Sequence, residues 1–598
     1  MKLSDYVLQF VADQGVKYVF MLPGGGAMHL NESLGRRSDI QFVCNLHEQA
    51  AAIAAEAYSK VSNDLAVAMV TTGPGGTNAV TGVASAWLDS MPCLFLSGQV
   101  KRDDLKRKSG VRILGVQEID IVEIVRSITK YAVTVDDPTT IRYHLEKAVH
   151  LARSGRRGPV WIDLPLDVQA AQIKPDELSG YSPPAETPVV DLDVRVREVL
   201  GLLGSARRPV ILAGSGIRAA GAVGDFRDLV DLLRIPVLTT WLAIDLIPDA
   251  HPLNFGRPGS IAPRGANFAL QNSDLLIVIG SRLDMAMTGY SHGNFARHAT
   301  KVMVDIDEAE IRKMKTEIRV PIVADAGTFL REFRRQIHGA TLRVDDGWLE
   351  QCRLWKERYP VIQPEYRENP DGVSTYCLSE AIAAELEPGD IIASGSSGVG
   401  VELFLLAFRA KEDQRVLHSR GLGAMGFGLP ASIGACLAAN GRRTVCVDGD
   451  GSFQMNLQEL ETLRRLALPI KVFVINNAGF ASIRASQENY FHHLVAADET
   501  SGLSLPNIRA VAAAYGVDTA LIADQRDLRT QVRTVLSTPG PVVCEVVAPP
   551  DEMRAPRISS VQRQDGGMVS RPLEDLWPFL DRDEFRDNMI VPPLEGSR

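Results

Sequence analysis

Asp450 and Asn477 are hard oxygen donors 27 residues apart, each placed where an apolar, β-branched-rich run ends. The runs are Thr444–Asp448 and Lys471–Asn476, and Leu457, Leu460, Leu463 and Leu466 recur between them at helical spacing within Met455–Leu468. A strand–helix–strand unit of this length makes the two strands parallel. Both donors then lie at the carboxyl ends of neighbouring strands, where open α/β sheets bind ligands. Mg²⁺ suits such a pair, because it takes few protein ligands and completes its shell from substrate phosphates. Gly449 and Gly451 flank Asp450 and let backbone amides approach a phosphate closely.

Elements that could position this pair recur along the whole chain. Strand-like runs at Val67–Thr71, Cys93–Ser97, Val160–Asp163, Val210–Ala213, Leu275–Ile279, Val302–Val304 and Val542–Val546 alternate with helical stretches. That alternation predicts an α/β protein built from doubly wound parallel sheets. Pro- and Gly-rich breaks at 179–188 and 360–370 divide it into a first domain over 1–178, a central one over 189–340 and a third over 371–550. A polar, Pro-rich tail is expected over 551–598. A chain of 598 residues is too long for one core. Hydrophobic content of 45%, with 23% charged residues, is that of a globular protein.

The net charge of −9 gives no electrostatic footprint for nucleic acid or an anionic membrane. Met1–Tyr6 opens an amphipathic helix without a signal-like apolar region, and no apolar run reaches the length of a membrane span. The seven cysteines are scattered with no CxxC pair, which excludes a disulfide framework or a zinc site and fits a cytoplasmic compartment. Cys446 is expected in a buried strand.

Glu48 stands near the first turn of an Ala-rich helix that runs through Tyr58. By itself it is a carboxylate stabilised by a helix dipole. Taken with Gly449-Asp450-Gly451-Ser452 and Asn476-Asn477, it resembles the thiamine diphosphate (ThDP) enzymes, and within them the acetolactate synthases. The resemblance covers roughly residues 1–555. It implies that Glu48 protonates N1′ of the aminopyrimidine, so that the ring's 4′ nitrogen removes the thiazolium C2 proton, a task for a buried carboxyl group. His47 would be its structural neighbour.

Further segments extend the resemblance. Leu22–Gly26 is similar to the glycine loop facing the substrate in acetolactate synthases, through Gly25 and Gly26, and Thr71–Asn78 is a second glycine-rich turn. Gln117 matches a glutamine of the same family, with Val116 where a Phe is usual. Gly421–Pro430 implies a cofactor cradle in which Gly423 and Ala424 line the cofactor and Met425 is the apolar wedge that bends it. Ser396 and Ser397, in Ser394–Gly398, would hold the diphosphate together with Gly451 and Ser452. Asp450, Asn477 and the Gly479 carbonyl would hold Mg²⁺.

The central domain carries Gly214 and Gly216 in a strand–turn–helix, only part of a dinucleotide fingerprint. Gly280 and Arg282, Asp305 and Ile306, Asp325 and Ala326, and Arg156 resemble the family's FAD segments. The resemblance thus implies ThDP, Mg²⁺ and FAD, and a homodimer or homotetramer, because each site in this superfamily takes its two halves from different subunits.

The acceptor side departs from the family. Ala286 stands where an arginine grips the second 2-keto acid, Leu166 replaces a lysine, and Ser486 replaces a tryptophan. Losing a guanidinium fork removes bidentate carboxylate recognition. A basic stretch, Lys101–Lys108, lengthens the loop before Gln117; it reads first as a solvated surface loop and second as a contact for an anionic acceptor. The expectation is pyruvate as donor and a carbonyl acceptor larger than pyruvate, as in the ThDP/FAD carboligases of yersiniose-type branched-sugar biosynthesis. The alternatives are an acetolactate synthase catalytic subunit, a pyruvate oxidase-like flavoenzyme and a non-catalytic scaffold.

Overall fold

The inner strands are short and buried on both faces, as parallel strands covered by helices must be, while edge strands such as Gln41–Cys44 and Asp518–Ile522 are partly exposed. In the computed structural model, residues 1–594 are described apart from 108, 186–190, 338–344, 397 and 563–566. The first sheet contains β1 (Tyr18–Met21), β2 (Gln41–Cys44), β3 (Ala66–Val70), β4 (Cys93–Gln99), β5 (Tyr131–Thr134) and β6 (Val160–Pro165). Its order is β2-β1-β3-β4-β6-β5, all parallel.

The central sheet contains β7 (Pro209–Ala213), β8 (Val237–Thr239), β9 (Leu275–Ile279), β10 (Thr300–Asp305) and β11 (Val320–Val323), in the parallel order β11-β10-β9-β7-β8. The third contains β12 (Ile391–Ser394), β13 (Arg415–Leu417), β14 (Thr444–Gly449), β15 (Ile470–Asn476), β16 (Asp518–Ile522) and β17 (Val542–Val547). Its order, β13-β12-β14-β15-β17-β16, repeats that of the first sheet strand for strand. Three doubly wound parallel sheets therefore build the chain.

The Asp450–Asn477 unit is a parallel pair in register from Thr444↔Ile470 to Gly449↔Ile475. Its helix is shorter than the leucine spacing predicts. A 3₁₀ turn covers Gln454–Asn456 and the α-helix runs only over Glu459–Arg465. Asn456 explains the early irregularity, because its side-chain amide donates to the Gly426 carbonyl at 2.8 Å instead of facing solvent.

The Ala-rich helix Glu48–Ser62 crosses the third-domain helix Gly428–Ala438 at very close range. A Cβ on Gly434 would lie 1.9 Å from the Ala54 carbonyl oxygen, so only glycine permits this approach. Ala51, Ala52, Ala54 and Ala55 share one core with Leu429, Ile433 and Cys436, which fuses the first and third domains. Residues beyond 550 pack rather than trail: Leu573 and Phe585 are buried in the central-domain core, and Glu574 pairs with Arg297 at 2.8 Å. All seven cysteines are unpaired, and Cys446 is buried in β14. Among the described residues no helix is long and apolar enough to cross a membrane.

Candidate active site

In the third sheet, the ends of β12, β14 and β15 converge. Asp450 opens the turn after β14 and is 2% exposed. Its Oδ1 accepts the Gly451 N–H at 2.7 Å, and its Oδ2 accepts the Gly479 N–H at 2.9 Å. Burial pushes its pKa up to about 6, against the pull of these amides and of Arg484. Asn477 is buried beside it, and Gly479 has φ +129°, a left-handed geometry that a side chain would strain.

One carboxylate, one amide oxygen and the Gly479 carbonyl, which accepts the Ala481 N–H at 3.2 Å and keeps a second lone pair, form a hard donor set that could hold Mg²⁺. Among the described residues no cluster of three His, Cys, Asp or Glu side chains forms a metal site, so a cation here would rely on this mixed set.

The remaining cradle gathers around it. The Ser452 hydroxyl donates to Asp448 at 3.0 Å and accepts the Gly426 N–H at 2.9 Å, tying the turn after β14 to the segment that carries Gly423, Ala424 and Met425. Gly423 and Gly426 both take positive φ, and Met425 is partly exposed. Ser396 follows β12, and its buried hydroxyl has no hydrogen-bond partner among the described residues. An orphaned hydroxyl there fits a diphosphate oxygen. Ser397 lies outside the described residues.

The first-domain residues meet at the carboxyl ends of β1, β3 and β4. Glu48 is 7% exposed and accepts a hydrogen bond from Asn78 Nδ2 at 3.0 Å. His47 caps its helix, taking the Gln49 N–H on Nδ1 at 3.1 Å. A Cβ on Gly75 would sit 3.7 Å from Glu48 Oε1, so the Thr71–Asn78 turn abuts the carboxylate. Gly26 donates its N–H to Thr71 Oγ1 at 3.1 Å, and Gln169 Nε2 holds the Gly26 carbonyl at 2.7 Å. Gly25 is open, with nothing within 4 Å of its Cβ position. Gln117 has φ +62°, and its carbonyl lies against Gly73. Gly25, Gly26, Glu48 and Gln117 therefore share one end of the first sheet.

The central sheet ends in a cavity of about 740 Å³, within the range of cofactor sites. Gly216 and Gly280 form its floor, and Gly214 packs behind them, where its Cβ would meet the Gly280 carbonyl at 2.1 Å. Asp305 and Ile306 close it from β10, and Asp325 and Ala326 from β11. Burial raises the Asp305 pKa. Arg156 and Arg282 line it as cations. Arg156 pairs with Asp307 at 2.9 Å and Glu310 at 2.6 Å, while Arg282 Nη1 donates to the Leu88 carbonyl at 2.7 Å. A glycine floor and flanking arginines could hold a dinucleotide.

On the acceptor side, Ala286 lies on the cavity wall, its carbonyl taking the Ser260 N–H at 2.9 Å. Leu166 is partly exposed beside Asp167, which pairs with Arg102 at 2.7 Å. The Ser486 hydroxyl turns back onto its own helix, donating to Ser482 and Ile483 carbonyls. The basic stretch is partly neutralised, because Arg107 also pairs, with Asp136 at 2.9 Å.

Three further residues that sequence reasoning did not single out shape the site. Arg484, 5% exposed, donates to the carbonyls of Asn477, Ala478 and Pro550 and so holds the loop after β15 in shape. Asn78 fixes Glu48. Glu459 accepts Asn45 Nδ2 at 2.9 Å and the Leu46 N–H at 2.8 Å, anchoring the approach to Glu48 from the third domain. Only Glu459 had a legible signal, as a carboxylate on the apolar face of a predicted helix.

The first and third sheets share one strand order, each with a buried carboxylate near its carboxyl end, and three domain models identify the chain as a thiamine pyrophosphate enzyme. The model of the thiamine pyrophosphate enzyme N-terminal TPP binding domain matches residues 1–124, that of the central domain 196–333, and that of the C-terminal TPP binding domain 395–546. The chain is 34% identical over 578 residues to the chloroplastic acetolactate synthase of Arabidopsis thaliana, spanning 94% of this chain and 83% of the plant protein. It is 31% identical over 555 residues to the large subunit of acetolactate synthase isozyme 1 of Escherichia coli, spanning 93% and 95%. The chain belongs to the acetolactate synthase-like family of ThDP-dependent enzymes.

Proposed function

We propose that this enzyme decarboxylates pyruvate and joins the remaining two-carbon unit to the carbonyl carbon of a ketone, with ThDP and Mg²⁺ in its active site and FAD in the central cavity. When bound, ThDP supplies a nucleophilic carbon and an electron sink for the loss of CO₂. Glu48, fixed by Asn78, would donate and take back a proton at the pyrimidine end of the cofactor. Asp450, Asn477 and the Gly479 carbonyl would hold Mg²⁺, and Ser396, Gly451 and Ser452 would supply the anion contacts. Met425 would supply apolar support to the cofactor, and Gln117, Gly25 and Gly26 would line the substrate side and help exclude water.

The net reaction breaks one C–C bond, forms another and leaves no electrons over, so FAD has a structural task. Glu48 and Asp450 stand on separate domains, which supports a homodimer or homotetramer in which each site takes one half from each subunit. Exposed apolar side chains beside both halves, Leu46, Val116 and Leu422, support the same arrangement. The unpaired cysteines are in keeping with a cytoplasmic setting.

One observation supports the acceptor assignment: Ala286, which the resemblance places where an arginine grips the second 2-keto acid, lines the central cavity and offers no guanidinium there. Plain acetolactate formation from two pyruvates is the second reading, favoured by the identity shared with acetolactate synthases over nearly the whole chain. Ala286→Arg discriminates between them. Restoring the fork is expected to raise acetolactate formation from pyruvate alone by about tenfold while ketone ligation falls. A variant with no gain in acetolactate would count against the acceptor assignment.

A further inference from the structure

The three domains meet at one carboxylate that the proposed chemistry does not use. Asp89 follows the helix Pro74–Leu88, lines the central cavity, and has a side chain only 1% exposed. Its Oδ1 accepts the Gly421 N–H at 3.0 Å, at the head of the segment that leads to Gly423, Ala424 and Met425. Its Oδ2 accepts from Lys60 Nζ at 2.9 Å, and Lys60 lies on the helix that Glu48 opens.

Lys60 also lies 2.7 Å from Glu56 Oε1 and donates to the His418 carbonyl at 2.9 Å. Burial alone would depress its pKa, but Asp89 and Glu56 more than offset that and hold it raised. From the central domain, Arg282 grips the Leu88 carbonyl. The Ser85 and Ser419 hydroxyls meet at 2.9 Å. A Cβ on Gly421 would strike Leu88 Cβ at 2.6 Å, so the Leu88–Asp89 corner and the cradle are in direct contact.

We propose that Asp89 is a positioning residue that couples occupancy of the central cavity to the ThDP cradle. A flavin dinucleotide packed against Arg282 and the Leu88–Asp89 corner immobilises that corner. Asp89 in turn fixes the Gly421 amide and the Lys60 ammonium. The second ligand then meets a cradle already ordered. This rests on the reading of the cavity as a flavin site, and it gives a flavin without a redox task an energetic one. Coupling of this kind is reciprocal: each cofactor tightens the other by the same factor.

The test is a set of binding titrations on the apoprotein, following FAD by its own fluorescence and ThDP with Mg²⁺ by calorimetry, each with and without the other. Wild type is expected to bind ThDP about tenfold more tightly when FAD is present, with the same factor for FAD in return. In Asp89→Asn, whose core keeps the Lys60–Glu56 pair, that factor is expected to fall to about one while each cofactor alone still binds within about threefold of wild type.

Ser419→Ala, which removes the Ser85 contact and a 3.4 Å bond from the Gly423 N–H, is expected to lower the factor partially, and stands in should Asp89→Asn not fold. Equal coupling in wild type and variants would overturn the proposal. So would a wild type that binds both cofactors without coupling. A wild type that takes up no FAD would overturn the flavin assignment itself, a result distinct from the other two.

Discussion

Glu48→Gln is expected to reduce turnover with pyruvate by about 10²- to 10⁴-fold while ThDP still binds. The amide keeps the shape of the carboxyl group and its contact with Asn78, but it cannot pass a proton to a ring nitrogen. The position makes the loss specific. Glu48 is nearly sealed from solvent, opens a helix locked against the third domain, and abuts the glycine turn at Gly75, so no neighbouring water replaces it. The direct readout is deuterium exchange at the thiazolium C2 of bound cofactor, quenched and followed by proton NMR. Exchange as fast as in wild type would remove Glu48 from the role assigned to it.

Asp450→Ala is expected to abolish Mg²⁺-dependent retention of ThDP, so that gel filtration strips the cofactor from the variant but not from wild type. The carboxylate is the only anionic side chain in the proposed donor set, and a buried amide and carbonyl alone hold a divalent cation poorly. Acidity bears on the same group. Its metal-free pKa of about 6 lies above that of an ordinary aspartic acid. Protons therefore compete with Mg²⁺ as pH falls below about 6, and affinity is expected to drop by about tenfold per pH unit there. Because burial raises this pKa, the ionised form costs the metal-free fold stability, and that cost fades as pH falls through 6. Retention of ThDP by Asp450→Ala, unchanged by a chelator, would refute the ligand assignment.

Much of the sheet architecture was legible because parallel strands flanked by helices are continuous β-branched runs. Leu275–Ile279 was readable to the residue, and Val302–Val304 is the middle of a strand that extends to Asp305. The Asp450 and Asn477 turns were legible for the same reason, since a strand end fixes where a donor points. What escaped depends on contacts between residues far apart in sequence. Asp89 carries no sequence signal of its own, yet it accepts from the Gly421 N–H, 332 residues away. Arg484 has no legible pattern in the sequence, and its role follows only from its three carbonyl partners. The repeated strand order of the first and third sheets is likewise invisible, because topology can be duplicated without shared residues. The helix after Gly451 came out shorter than its leucines implied because Asn456 spends its amide on Gly426.

The most direct test of the central claim is product analysis. Purified enzyme is incubated with ThDP, Mg²⁺, FAD and ¹³C-labelled pyruvate, with and without cyclohexanone, and the products are followed by NMR. The account predicts labelled CO₂ release together with a tertiary alcohol bearing the labelled two-carbon unit, formed only when the ketone is present. Acetolactate as the sole product under both conditions would contradict it and return the chain to plain acetolactate synthesis.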